Sequence, residues 1–473
     1  MCQYKIFTGG SLDIMRLKLL LCVLLLALSV NATTVVGVND SLAVVPVDST
    51  KVTRKHPWLA GLEVVGLNSA LFGIDKIIFS DINWTKVTLK SIKRNLSQSY
   101  WFWDYDGLEV NAFRHPVHGS IFYLIGRANG MNMLESSMYS LGGSWMWEMF
   151  FEAERPSISD MVYTSVGGAT IGEVAWRTGK SWLGLISKRH RALAPTVPFS
   201  TSITIGYRYL KSKDHRAANT AMATLDVSYG DLFDGEHNGP FDYFEASGTL
   251  AIGQNQKLIN KANIDHQIIS RSIVDKPNQK VVWGLYNHFD YYYASLIEQL
   301  NNVEMPSSLS YSEVGAIGPG VAYRVGRQQV SWEQQAYFNA IMMGATSMHI
   351  FHAANGLRDY NFGSGYGARL YSKLAVGNWV KLGVRAQFSH LFTWDGYNDD
   401  NGWKKHSVPS IQGETGNAVT TILEPSLEVK PTKNLSLVCN GRYMNTHNNY
   451  TYHPHGSISA WEWQVGVRYG IEL

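Results

Sequence analysis

The chain has 473 residues, enough for one large or two medium domains. Apolar residues make up 45% and charged residues 17%, below the roughly 25% of ordinary soluble domains. The formal net charge is +3 with no basic block, which excludes the electrostatic footprint of a nucleic-acid partner; aromatics at 12% and 43 glycines fit an aromatic-girdled β-barrel better than a cytosolic enzyme.

Met15 opens "MRLKLLLCVLLLALSVNA". Arg16 and Lys18 form a positive region, residues 19–30 an apolar core, and Val30-Asn31-Ala32 a cleavage site. Residues 1–32 are therefore expected to be a signal peptide, with translation starting at Met15, and residues 33–55 a polar linker. The apolar core is too short to span a bilayer comfortably as a helix. Cleavage after Ala32 leaves Cys439 as the only cysteine, which excludes an intramolecular disulfide framework and a CxxC metal or redox site.

From 56 to 190 the pattern is helical. "SYWFWDYDG" (99–107) mixes five aromatics with acids, as an interfacial belt or a sugar-stacking surface would. Three helices are expected between 117 and 180. The first places Ser120, Tyr123 and Arg127 on one face. The second carries a stripe of Ser137, Ser140, Ser144, Glu148 and Glu152, the rest being Met, Leu, Trp and Phe. The third opens with Ser157 as N-cap and Asp160 three residues on, and Thr164, Gly167 and Gly168 let another helix approach closely.

The run Asn111, His115-Pro116, Gly119-Ser120, Tyr123, Arg127, Gly130, Ser137, Ser144, Trp147-Glu148, Glu152, Pro156-Ser157, Asp160, Gly168 and Gly172-Glu173 resembles an uncharacterised family. That family is a "domain of unknown function" of exported proteins in Bacteroidetes-like diderm bacteria, and the resemblance covers about 105–180. It implies an outer-membrane setting and no particular reaction.

Three chemistries fit these residue types. His115 and His118 with Glu148, Glu152 and Asp160 would suit zinc or iron, but Pro116 breaks the helical spacing of the two imidazoles, so no metal is expected. Ser144 or Ser137 could attack a lipid ester with His115 and Asp160 in support, although no GxSxG elbow surrounds either serine. A related scheme uses His115 as base and Glu148 or Glu152 as acid, with water attacking. The third reading is a fastening: Glu148 and Glu152 hold Arg127, Arg114 or Arg155, the serines mark tight helix contacts, and Asp160 caps. Catalytic candidates are thus His115, Glu148, Glu152 and Asp160. Binding candidates are Asn111, Arg127, Ser144 and Glu173, and no cofactor is expected.

Pro195 and Pro198 in "ALAPTVPFS" mark the change of period. In "WEWQVGVRYGIEL" (461–473), Trp461, Trp463, Val465, Val467, Tyr469, Ile471 and Leu473 share one strand face, and Glu462, Gln464, Arg468 and Glu472 share the other. Similar runs at 199–210, 220–230 and 379–390 bring the count to about twelve strands, starting near 200, 220, 242, 258, 281, 311, 330, 363, 379, 418, 434 and 461. Over the last seven connections short turns alternate with long loops, as in outer-membrane barrels. "HIFHAANG" (349–356) and "YTYHPHGS" (450–457) carry paired histidines and fall in outer loops of this scheme.

The expected fold is mainly β with an α domain: an antiparallel transmembrane β-barrel of about twelve strands over 199–473, preceded by a helical domain at 56–190. That domain would cap the periplasmic mouth or partly plug the lumen, with at most one helix inserted. Three functions fit: binding or passage of a small solute or lipid, hydrolysis of an envelope lipid, or a structural and assembly role. Outer-membrane lipids and a small solute are the expected partners. Arg208, Lys381, Arg385 and Arg468 facing the lumen suit anionic solutes if free, and a closed plug if they pair with Glu462 or Asp226.

Overall fold

Alternation from Phe199 onward builds twelve antiparallel strands in the structure, a computed structural model. It describes residues 54–80, 82–97, 101–103, 106–213, 215, 217–234, 239–252, 259–300, 303–327, 329–347, 360–394, 415–451 and 454–472. The strands are β1 Phe199–Ser212, β2 Ala218–Tyr229, β3 Phe244–Ile252, β4 Ile259–Lys276, β5 Gln279–Leu300, β6 Val303–Arg327, β7 Val330–Ser347, β8 Tyr360–Val376, β9 Val380–Thr393, β10 Gly416–Val429, β11 Leu435–Tyr450 and β12 Gly456–Glu472. Each pairs with its sequence neighbours, and β12 returns to β1 in register from Ser200↔Glu472 to Ser212↔Ala460, so the sheet is closed. Closure leaves no unpaired edge, the condition for a sheet to sit in hydrocarbon.

Side-chain polarity follows the pleat. Ile203, Ile205, Tyr207, Trp461, Trp463, Val465 and Tyr469 are exposed on the outer wall, while Thr204, Arg208 and Glu462 are buried on the lumen side. An apolar outside around a polar interior is the arrangement of an outer-membrane barrel. The expected strand starts are met within a few residues, except at β6 and β12. β5 and β6 continue much further and pair down to Leu300↔Val303, so the long loop expected before β6 does not exist. The alternation simply carries on, with Ala294, Leu296 and Leu309 buried in one apolar cluster. A β-bulge in β6 takes up the register between His288↔Ala316 and Asp290↔Glu313, at Gly315, whose φ of 63° favours glycine.

The helices are α1 Pro57–Ile78, α2 Leu89–Asn95, α3 His115–Ala128, α4 Met133–Met146, α5 Ile158–Val162 and α6 Gly168–Ile186. Short π-helical turns lie at Val110–Arg114, Trp147–Phe151 and Tyr163–Gly167. Ser157 is the N-cap of α5 as expected, its side chain accepting the Asp160 N–H. Asn132 and Glu135 close a capping box on α4 that the sequence reading did not single out. The proposed signal peptide, most of the linker, and "HIFHAANG" fall outside the described residues, as does part of "YTYHPHGS".

The chain divides into two compact units, and the boundary is not a single point. The helical unit comprises residues up to Trp101, His115–Pro156 and Thr164–Ala194; the barrel unit takes Phe102–Arg114, Ser157–Tyr163 and Pro195 onward. A continuous helical domain at 56–190 is therefore interrupted twice. Within the helical unit α3 and α6 touch through glycine: a Cβ on Gly119 would lie 1.7 Å from the Thr164 carbonyl oxygen. Ser140 Oγ of α4 sits 2.9 Å from the Gly119 carbonyl and 3.0 Å from that of Thr164. The small residues expected at Thr164 and Gly168 do the work assigned to them.

The two interrupting segments are straps on the outside of the barrel. Tyr292 and Tyr311 reach polar groups of the lumen, so their neighbours Tyr291 and Ser312, which pair with each other, face outward. Tyr163 Oη lies 2.7 Å from Ser312 Oγ, and Phe113 tilts against Tyr291. Asn111 Nδ2 donates to Tyr360 Oη at 2.8 Å, and that hydroxyl donates to the Asp106 carbonyl at 2.7 Å. Trp103 stacks on Trp394 with ring centroids 4.4 Å apart. "SYWFWDYDG" thus contributes a tryptophan packed at the barrel wall. Neither strap enters the lumen, as an inserted plug would.

Candidate functional site

In the helical unit the structure brings together two of the binding candidates, Arg127 and Glu173. Glu173 on α6 is fully buried. Tyr123 Oη donates to its Oε2 at 2.6 Å and Arg177 Nε to its Oε1 at 2.7 Å, while Arg127 Nε stands 3.2 Å from Oε2. Arg127 also donates to the Met131 carbonyl and lies over the Trp176 ring, which Lys180 approaches at 5.5 Å. The 120, 123, 127 face expected on α3 explains this, since Tyr123 and Arg127 are one turn apart. A carboxylate held by two arginines and a phenol has its oxygens occupied. It acts as a clasp between α3 and α6, not as a base poised for substrate.

The catalytic candidates lie on α3, on and just after the π-helical turn that follows α4, and on α5. His115 is the first residue of α3 and is half-buried. Glu148 is buried in the π-helical turn after α4, and Glu152 is half-buried just beyond it. The backbone carbonyls of both accept from Asn95 Nδ2, each at 3.1 Å. Asp160 is buried in α5 and belongs to the barrel unit, whereas His115, Glu148 and Glu152 belong to the helical unit. Ser144 is buried on the inner stripe of α4, and Asn111 is buried in the strap at Tyr360. Of the three arginines expected to be held by Glu148 or Glu152, Arg127 pairs instead with Glu173 and Arg114 with Glu109 at 2.7 Å, which leaves Arg155 as the candidate for that fastening. Arg114 and Glu109 share the same short strap, and Arg127 shares a helix face with Tyr123, so nearer carboxylates win. Among the described residues no group of three or more His, Cys, Asp or Glu is assembled to hold a metal.

The barrel lumen holds a denser polar site. We call the end where β1 begins and β12 finishes the terminal end, and the opposite one the distal end. Toward the distal end Leu210, Ala294, Leu296, Leu309, Ile422, Met444 and Ile458 form one buried apolar cluster, drawn from β1, β5, β6, β10, β11 and β12. The cluster joins β5 and β6 to β10, β11, β12 and β1 on the other side of the ring. Beneath it, Glu462 Oε2 accepts from Arg208 at 2.9 Å and from Tyr292 at 2.6 Å. Arg369 donates to both Asp290 and Glu313. Asp265 accepts from Arg385 at 2.6 Å and lies 2.7 Å from His288 Nδ1. Glu424 joins Arg442 to Lys261, each at 2.7 Å.

The four lumen cations read from sequence are therefore paired. Arg208 meets Glu462; Arg468 lies 3.2 Å from Asp226 and from Glu428; Lys381 lies 4.0 Å from Glu428; Arg385 meets Asp265. Arg208 with Glu462 and Arg468 with Asp226 are the pairings associated above with a closed plug; Lys381 and Arg385 use other carboxylates. Sequence reasoning missed Asp265, Asp290, Glu313 and Arg369, although Asp265 shares the inward phase of Asn263 and Gln267, a signal strand parity alone provides. At the terminal end, residues of the 230–243 link fold inward, with Arg324 over the Phe233 ring and Leu232 and Phe233 packed against Val282 and Tyr337. What remains is a cavity of about 480 Å³ lined by equal numbers of cationic and acidic side chains, among them Lys261, Arg442, Glu424 and Glu428.

Known structures with the same kind of barrel resemble this chain only distantly. A NanC porin shares 10% identity and a TM-score of 0.25, covering 55% of this chain and 98% of its own. A FadL homologue of Pseudomonas aeruginosa shares 9% identity and a TM-score of 0.23, covering 61% of this chain and 93% of its own. Omp33 of Acinetobacter baumannii shares 10% identity and a TM-score of 0.23, covering 57% and 99%. The fold assignment rests on the strand pairing described above. No curated protein matches the sequence. Residues 100–195, which hold α3 to α6 and the two straps, match the family model of a domain of unknown function, DUF3943.

Proposed function

We propose that this protein is a closed, non-conducting barrel of the outer membrane of a diderm bacterium. Its lumen binds a small polar solute of balanced charge in the cavity at the terminal end. The apolar layer across the distal lumen is the observation that carries this reading. A passage for solutes needs a continuous polar path, and apolar packing between opposite walls works against one. The paired charges below add that no strong anion is called for, because each lumen cation named above already has a carboxylate. A cavity of this volume suits a ligand the size of a disaccharide or dipeptide.

Planar-bilayer recording of the full chain tests the closed lumen. The unmodified protein is expected to show no steady potassium chloride current, and a Leu296→Gly, Leu309→Gly, Ile458→Gly variant to show discrete openings. A steady current through the unmodified protein refutes the reading. Calorimetry with a zwitterionic dipeptide and a neutral disaccharide then tests binding, with Ser247→Trp as the variant that fills the cavity.

A second reading, the barrel as an anchor for the helical unit, is favoured by the two straps bound to the outer wall.

A further inference from the structure

The helical unit has the polarity of a soluble bundle turned inside out. α4 buries Ser136, Ser140, Gly143 and Ser144 and exposes Leu134, Met138, Leu141 and Trp145. α6 buries Gly172, Glu173, Thr178 and Ser181 and exposes Trp182, Leu185 and Ile186. In α1 the buried positions include Asn68 and Asp75, while Trp58 is 88% exposed and Ile77 81%. In water this distribution is costly, since each exposed Leu or Ile forgoes roughly 1.5–3 kcal/mol of burial. In hydrocarbon it is the expected one, because small and hydrogen-bonding residues then hold helices together.

Three further observations point to lipid as the occupant of these faces. The helix contacts are of the small-residue kind: Gly119 against Thr164 and Gly168, and Asn68 Nδ2 donating to the Gly143 carbonyl between α1 and α4. The central charges Glu173, Arg127 and Arg177 turn toward one another, as ionisable groups inside a bilayer do. α1 has 22 residues, about 33 Å at ~1.5 Å per residue, and is apolar enough to cross a hydrocarbon core of about 30 Å.

We infer that the helical unit is immersed in the bilayer, with the outward side chains of α1, α4 and α6 against acyl chains. The protein is then a mixed α/β membrane protein, and its domain of unknown function works within the hydrocarbon and not in the periplasm.

Site-directed spin labelling of the full chain in phospholipid vesicles tests this, with the native cysteines replaced by serine. Single labels go at Leu62, Met138 and Leu185, with Trp463 on the barrel wall as the lipid control and Lys433 in the β10–β11 turn as the water control. Oxygen is expected to exceed a nickel chelate as relaxing agent at Leu62, Met138, Leu185 and Trp463, and the order to reverse at Lys433. Nickel access at the three helical sites equal to that at Lys433 overturns the inference. So does shielding from both reagents, which would mean a protein partner or a second copy covers these faces. Retention of the folded barrel's shifted gel mobility confirms that each labelled variant has assembled.

Discussion

Gly119→Ala is the sharpest perturbation of the helical unit. The added methyl would lie 1.7 Å from the Thr164 carbonyl oxygen and 2.7 Å from its carbon, where ordinary contacts begin near 3.4 Å. Both atoms are backbone, so no side chain can swing away, and α3 and the start of α6 must separate by more than an ångström. Overpacking of this kind costs about 1–3 kcal/mol, and loosening the Ser140 links to Gly119 and Thr164 adds about 0.5–1.5 kcal/mol. Gly142→Ala is the matched control, because a Cβ there meets nothing within 4 Å and should improve the helix by about 0.5–1 kcal/mol. The two variants should differ by about 3 kcal/mol, or roughly a hundredfold in the opening equilibrium. Trypsin cleavage between 54 and 194 reads that ratio when closing is fast relative to cutting, with the intact barrel as internal standard. Equal cleavage rates for the two alanine variants would show that the α3–α6 contact does not hold the unit together.

Four other outcomes follow from the same geometry. Glu173→Gln leaves Arg127 and Arg177 around a neutral amide and should destabilise the helical unit by about 3–5 kcal/mol, read by the same cleavage assay. Arg208→Met should lower the barrel's gel-shift melting temperature by leaving Glu462 without its guanidinium partner, and the double variant Arg208→Met, Glu462→Leu should recover most of the loss; no recovery would mean that the pair is not an isolated unit. Trp103→Ala removes the stack on Trp394, worth about 0.5–1.5 kcal/mol beyond its area, and should expose the 102–114 strap to protease without altering barrel mobility. His115→Ala should restore every envelope-lipid and uptake phenotype of a deletion strain, and failure at wild-type protein levels would favour a hydrolase built on His115, Glu148, Glu152 and Asp160.

How much of this was legible from residues alone depends on the kind of regularity involved. The barrel was legible because period two states which residues share a wall, and closure follows once one wall is apolar along every strand. Arg208, Lys381, Arg385 and Arg468 could be placed on the inner wall by parity alone. Their partners could not, because Arg208 meets Glu462 only after β12 has returned to β1. The partner of Arg127 was hidden for the same reason: Glu173 lies on another helix, brought within reach by the Gly119–Gly168 approach. The straps were hidden more deeply, since Asn111, Trp103 and Tyr163 sit among helical patterns and no local signal says that their contacts are with strands.

The helices raise a different issue. Periodicity in 133–152 separates a Ser stripe from a Leu, Met and Trp stripe, but an amphipathic pattern looks identical whichever side is turned inward. Only the solvent decides. In water the leucines would close on each other and Ser140 would face out; here Ser140 is fully buried against two backbone carbonyls and Met138 is exposed. The barrel makes the same choice on its own wall, hiding Arg208 and showing Trp463. Two units built on unrelated periods, 3.6 and 2, invert in the same direction, and a hydrocarbon surrounding asks this of both.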